Sequence, residues 1–144
     1  MNKSDPPIIV EHAYNVQVQK VWEAITHVDK MTQWFFDNIP DFKAEKGFST
    51  QFQVQVEDRT FTHLWKITQV KSLDTLTYNW KYKEYPGDSK VTFKLVRWGD
   101  WTLIRLTAQI LEDFPSDIPE FTRESCEGGW NYFLKERLKT FLDG

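Results

Sequence analysis

A chain of 144 residues accommodates one domain around one hydrophobic core, so residues 1–144 are read as a single unit. With 40% hydrophobic and 27% charged residues and no low-complexity stretch, the composition excludes a disordered chain. The 18 Lys and Arg against 21 Asp and Glu leave a formal net charge of −3, and the densest basic patch, Lys135 to Lys139, is broken by Glu136. That pattern argues against a nucleic-acid partner, because such binding rests on clustered cations that release counterions.

The N-terminal Met1 to Pro7 is polar and lacks the apolar stretch of a secretory signal. No apolar run approaches the roughly 18 residues that span a bilayer. The one cysteine, Cys126, excludes an internal disulfide and suits a reducing compartment. A cytoplasmic location is the expectation.

Ile8 to Tyr14 follows Pro6-Pro7 and is rich in β-formers, which predicts a first strand. Asn15 is then placed to cap a helix in which Val18, Val21, Trp22 and Ile25 share one face. A second short helix is expected over Asp29 to Phe35, followed by a strand at Phe42 to Glu45 and a turn at Lys46-Gly47. From Ser49 to Val56, Thr50, Phe52, Val54 and Val56 alternate with Ser49, Gln51, Gln53 and Gln55, the signature of a strand with one wet face. Thr60 to Val70 continues with Phe61, His63, Trp65 and Ile67 on a common side, and Leu76, Tyr78, Trp80 and Tyr82 alternate in the next strand. Pro86-Gly87-Asp88 marks a turn before Val91, Phe93 and Leu95. Gly99-Asp100 joins Trp98 to Trp101 as a tight hairpin, and Thr102, Ile104, Leu106, Ala108 and Ile110 face one way in the last strand.

The period then changes. Trp130, Phe133, Leu134, Leu138, Phe141 and Leu142 mark one stripe of a C-terminal helix, about three turns long. Gly128-Gly129 lies within it, either because the backbone approaches the sheet or a ligand closely or because the helix start is frayed or kinked. Short turns impose an antiparallel meander, and its dry face needs a cover that only the C-terminal helix is large enough to supply. The fold class is therefore α+β: about six to seven strands curved around a long C-terminal helix, with two short helices after the first strand.

Certain segments also resemble a known family. Lys20-Val21-Trp22-Glu23-Ala24-Ile25-Thr26 followed by Trp34-Phe35, Thr77-Tyr78-Asn79-Trp80, Ser89-Lys90-Val91-Thr92-Phe93-Lys94-Leu95 and the closing Gly129-Trp130 with Leu138-Lys139 occur in the order found in START-like (SRPBCC, helix-grip) proteins. Within that superfamily the chain most resembles the group named after the activator of the 90-kDa heat-shock-protein ATPase. Val16-Gln17-Val18 replaces the proline common before the first helix, Leu64 stands where a Gly is usual, and Ala108 where many members carry a His. The resemblance implies a helix-grip fold with a cavity, in a superfamily of lipid and hormone binders, cyclases and co-chaperone domains.

The inner face of the expected sheet supplies the candidate ligand site: Phe52, Phe61, His63, Trp65, Tyr78, Trp80, Phe93 and Ile104, facing Trp130 and Phe133 of the helix. Apolar rings with a few polar groups suit a small hydrophobic or aromatic ligand, oriented by Tyr78 and His63; the same rings also suit a filled core. His12 and His27 have no metal-like spacing, Cys126 has no partner pattern, and no phosphate loop, nucleophile elbow or zinc motif occurs. No catalytic residue, metal or cofactor is expected. Glu112-Asp113 and Asp117 to Glu120 are candidate paired carboxylates, but their Pro-containing loop reads as a solvated linker, placed to cover the cavity mouth as a gate. Trp98 and Trp101 form either a cross-strand pair or an exposed patch for a partner. A binding module for a small hydrophobic ligand is the first reading, an interaction protein touching a heat-shock-type chaperone the second, a cyclase-like enzyme the third. Nothing in the sequence addresses oligomeric state.

Overall fold

Alternating side chains with one polar face dictate a sheet that is dry on a single side, and the structure, a computed structural model describing residues Met1–Gly144, shows how that side is covered. The strands are β1 (Ile8–Tyr14), β2 (Ser49–Val56), β3 (Arg59–Lys71), β4 (Thr75–Tyr82), β5 (Asp88–Trp98) and β6 (Trp101–Glu112). They form one antiparallel sheet in the order β1-β6-β5-β4-β3-β2. The register breaks between Ile67 and Gln69 on β3, and between Asp88 and Ser89 on β5, where Leu111 of β6 is the extra residue. Such bulges bend strands and increase twist, which curves the sheet into a trough.

The expected strand at Phe42 to Glu45 does not form, so the sheet has six strands. Pro40 lacks a backbone donor, and the Asp41 carboxylate takes the Phe42 N–H at 2.8 Å, so this segment has little to offer a ladder. Phe42 instead buries its ring edge-on against Trp65 and Tyr78.

Two helices bridge the sheet edges: α1 (Val18–Thr26) and α2 (Val28–Trp34). Asn15 does not cap α1. Gln17 occupies that position without a side-chain bond, while Thr102 Oγ1 donates to the Val16 carbonyl at 2.9 Å and fixes the approach. The apolar face of α1 buries Val18, Val21, Ala24 and Ile25. Trp34, at the end of α2, is fully buried, and its indole N–H donates to the Ala24 carbonyl at 2.7 Å. Trp34 stacks on Phe35 with ring centroids 4.7 Å apart.

The C-terminal helix is longer than expected. It comprises α3 (Arg123–Asn131), a π-helical stretch at Tyr132–Arg137 and α4 (Leu138–Asp143), continuous in backbone and about 30 Å long at 1.5 Å per residue. Thr122 caps it by accepting the Ser125 N–H at 3.2 Å. Trp130, Leu134 and Leu138 are all buried at i, i+4 spacing. In an uninterrupted α-helix each such step rotates the side chain by about 40°, and the wider π turn offsets that drift. Tyr14 of β1 anchors this stretch by donating its hydroxyl to the Leu134 carbonyl at 2.6 Å. Arg137 donates to the Gln33 and Trp34 carbonyls at 3.1 and 3.4 Å, closing the end of α2. No helix is long and apolar enough to cross a membrane.

Removing the Tyr14 hydroxyl leaves the ring packing intact and a buried carbonyl with one bond fewer. Tyr14→Phe is expected to lower stability by about 1–2 kcal/mol, read as a smaller urea midpoint with an unchanged slope.

Candidate functional site

Rows of side chains across the concave face form the floor of the site. Cross-strand neighbours place Phe52, His63 and Tyr82 in one row and Trp65, Trp80 and Ser89 in the next, with Val54 opposite Phe61 and Val91 opposite Ala108. Beyond the end of α2, Phe36 drops its ring between sheet and helix, 5.0 Å from His63 and 5.2 Å from Phe133. On one side of this ring the trough is solid. On the other lies a cavity of about 410 Å³, roofed by Cys126, Gly129, Trp130 and Phe133 and ended by Phe114 and Phe121. Half-buried Glu120 and exposed Ser125 mark its rim.

The stretch expected as a solvated linker is in fact a wall. Phe114 and Phe121 are buried with Phe61 and Ile110, and Pro119–Phe121 forms a single 3-10 turn. The Phe114 and Phe121 rings, set at either end of a polar segment, supply the burial that holds it against the sheet. Gly87 in the β4–β5 turn has φ +117°, and a Cβ there would lie 2.5 Å from the Phe114 ring, so the turn is a seat for that ring. Glu120 accepts two hydrogen bonds from Arg59, each 2.8 Å, and this pairing holds its carboxyl below the usual range. The pair fastens the wall to the start of β3.

His63 is 5% exposed and stacks on Phe52 with centroids 4.8 Å apart. Its Nδ1 lies 3.1 Å from the Phe61 carbonyl, which only accepts, so Nδ1 carries the hydrogen. Burial pulls the His63 pKa down to about 4, against opposing effects of the Phe61 bond and the Glu84 carboxylate. The ring is neutral at physiological pH, and Nε2 presents a lone pair with no protein partner. Tyr82, across the ladder from His63, accepts the Trp80 indole N–H at 2.8 Å. Burial raises the Tyr82 hydroxyl above its ordinary pKa and pushes the Cys126 thiol up to about 11, so both stay protonated.

Five of the candidate residues border the cavity: Phe61, His63, Trp80, Trp130 and Phe133. Phe52, Trp65, Tyr78, Phe93 and Ile104 lie instead in the packed part of the trough, where all five are buried. Tyr78 faces Trp65 and Phe93 there, away from the cavity. The candidate set omits Phe36, Tyr82, Cys126, Phe114 and Phe121, and Gly129 enters the sequence reading only as one of a glycine pair close to the sheet or a ligand. Tyr82 was legible as the next inward position after Trp80, and Cys126 and Gly129 as the helical face of Trp130 and Phe133. A Cβ at Gly129 would meet nothing within 4 Å, so its smallness leaves cavity space and reflects no tight approach to the sheet.

Trp98 and Trp101 are direct cross-strand neighbours beside the Gly99 turn, yet 68% and 45% exposed. No three His, Cys, Asp or Glu side chains gather into a metal-holding group.

A histidine depressed in the native state binds its proton later than the unfolded chain does. As pH falls from 6.5 towards 4, the unfolded state gains a proton that the native state lacks, so His63 removes up to roughly 3 kcal/mol of stability over that window. Urea denaturation at pH 7 and pH 4.5 is expected to show this loss in the native protein and a markedly smaller one in His63→Phe.

No curated protein matches the sequence. Among solved structures, protein CV1439 from Chromobacterium violaceum is similar with a TM-score of 0.80 at 15% identity, over 96% of this chain and 97% of that one. CalU16 from Micromonospora echinospora is similar with a TM-score of 0.61 at 22% identity, over 94% and 75% of the respective chains. DynU16, described as belonging to the dynemicin biosynthetic locus, gives a TM-score of 0.75 at 22% identity; the match covers 96% of this chain but 48% of DynU16, so this chain spans about half its length. At these identities the likeness is one of fold, the helix-grip arrangement expected from the sequence. The family model for activator of Hsp90 ATPase homolog 1-like proteins matches residues 15–143, and the chain belongs to that family.

Proposed function

We propose that this protein is a binding module that holds a small apolar molecule between the concave sheet and the N-terminal half of the C-terminal helix. The observation that carries this reading is the cavity: about 410 Å³, with fifteen of its twenty lining residues hydrophobic. That volume falls in the range of small-molecule sites, and the apolar walls with a few polar atoms match their usual chemistry. A protein of similar fold, DynU16, is assigned to a natural-product biosynthetic locus, which supports a polyketide-like or lipid-like ligand here. The polar groups favour holding over chemistry. His63 is too weak a base at pH 7 for efficient proton abstraction, and the one lining carboxylate, Glu120, is bound by Arg59.

A second reading, surface contact with a chaperone, has one feature in its favour. Val96, Trp98 and Trp101 are exposed together at one end of the convex face. It predicts that the protein alters chaperone ATP turnover and that Trp98→Ser with Trp101→Ser abolishes the effect; no change in turnover by the native protein sinks it.

Gly129 tests the cavity without damaging the fold. Leucine there fills open space and improves helix propensity by up to about 1 kcal/mol. Native mass spectrometry of freshly purified protein is expected to show an adduct of a few hundred daltons that denaturing solvent releases. Gly129→Leu should lack the adduct at unchanged or higher Tm, whereas Gly128→Ala, on the exposed side, should retain it. An adduct equally present in Gly129→Leu places the ligand elsewhere and defeats the proposal.

A further inference from the structure

Resting on the ligand-binding reading above, we propose that the cavity selects a neutral apolar molecule bearing a hydroxyl group, a phenol, enol or alcohol. Its O–H donates to Nε2 of His63 and its oxygen accepts from the Tyr82 hydroxyl; carboxylates are rejected.

The tautomer decides the first half. The Phe61 carbonyl holds the hydrogen on Nδ1, so the other ring nitrogen offers only a lone pair. That nitrogen belongs to a side chain 95% enclosed by protein, yet it is not among the sealed, unpartnered polar atoms, which are His12 Nε2 and Trp65 Nε1. Its open side is the cavity that the ring borders. A buried acceptor without a partner costs roughly 1–3 kcal/mol, so a ligand donor placed there gains more than an ordinary hydrogen bond.

Tyr82 supplies the complementary donor. Its ring centroid is 4.9 Å from that of His63, and its oxygen already accepts from Trp80, leaving the hydroxyl hydrogen uncommitted. Ser89 has no hydrogen left to give, since its Oγ donates to the Trp80 carbonyl at 2.6 Å. One acceptor and one donor on neighbouring rings of an apolar chamber are the complement of a single hydroxyl group.

Charge decides the second half. No Lys or Arg side chain lines the cavity. Arg59 at the rim is held by Glu120 and flanked by Glu57 and Asp58, and the Met1 amino group donates to the Phe121 carbonyl at 3.1 Å. Beside His63 a carboxylate would meet a lone pair and no Lys or Arg, past the negative Glu120, while the Met1 amino group, the one cation on the lining, is bonded to the Phe121 carbonyl on the end wall. A cation finds no free carboxylate either.

Three probes of one shape separate the outcomes: 9-phenanthrol, 9-methylphenanthrene and phenanthrene-9-carboxylate, titrated by fluorescence against native protein, Gly129→Leu and His63→Phe. The phenanthrol is expected to bind native protein at least about 10-fold more tightly than the methyl analogue, and the carboxylate most weakly. In His63→Phe, which keeps the ring stack, the phenanthrol advantage should shrink to about twofold while the methyl analogue still binds. Equal affinities for the hydroxyl and methyl probes in native protein, with binding lost in Gly129→Leu, overturn hydroxyl selection and leave the binding module standing. Failure of all three probes to bind native protein removes both. Should His63→Phe not fold, the imidazole ¹⁵N resonances of native protein decide: Nε2 shifts on adding the phenanthrol and not on adding the methyl analogue if the proposal holds, and equal behaviour rejects it.

Discussion

A curved antiparallel sheet with one dry face must be covered, and the width of that face exceeds what one helix supplies. Six strands at the usual spacing span about 24 Å, whereas an α-helix with its side chains is about 10–12 Å across. The C-terminal helix therefore takes the middle of the trough, and other elements complete the cover. At one end Trp34 and Phe35 push aromatic bulk between sheet and helix, with α1 behind them. At the other end Phe114 and Phe121 close the space as an end wall, with Met1, Tyr85 and Ile118 packed against them. The cavity is the part of the trough that geometry leaves over.

Its position along the helix follows from side-chain size. Within and just past the π turn the helix presents Leu134 and Leu138, which are fully buried against sheet and α2. Before it the same face carries Cys126 and Gly129, opposite Ala108 on the sheet. Small residues on both sides of a gap prevent collapse, because the backbone elements are already held apart by Trp130 and Phe133. The π turn links the two halves: it keeps the buried line continuous while Tyr14 ties the helix to β1. The same interface therefore sets both the packing of the core and the alignment of the cavity roof.

The chemistry of the chamber is that of recognition. The titratable side chains on its walls are either neutral, as with buried His63, Tyr82 and Cys126, or paired, as with Glu120. Low charge and rigid rings lower the cost of hosting an apolar guest, because little polar surface needs to be dehydrated and few rotamers to be frozen. Arg59 and Glu120 fasten the end wall from the rim, where a solvent-reachable bidentate pair gives position more than stability.

The strands, their inward faces and the closing helix were legible in the sequence because period-2 and period-3.6 patterns depend on local spacing alone. Ser49–Val56 follows the alternation residue by residue, whereas in Thr75–Tyr82 the inward Leu76 and Tyr78 are joined by Thr75 and Thr77, buried on the other face. Asn15 and Phe42–Glu45 misled for a shared reason: each has suitable local character, yet a distant partner (Thr102 for the one, the Trp65 and Tyr78 rings for the other) decides the conformation. The inward list was likewise readable, but its division into core and cavity was not. Phe52, Trp65 and Tyr78 share the pattern of His63 and Trp80, and the difference lies in rings brought from the segment after α2: Phe36 on Phe52, Phe35 on Trp65 and Phe42 on Tyr78. Sequence by itself determined which side chains face inward; tertiary structure alone decided which of them meet protein and which meet space, because an empty volume belongs to the surfaces around it and to no single segment of chain.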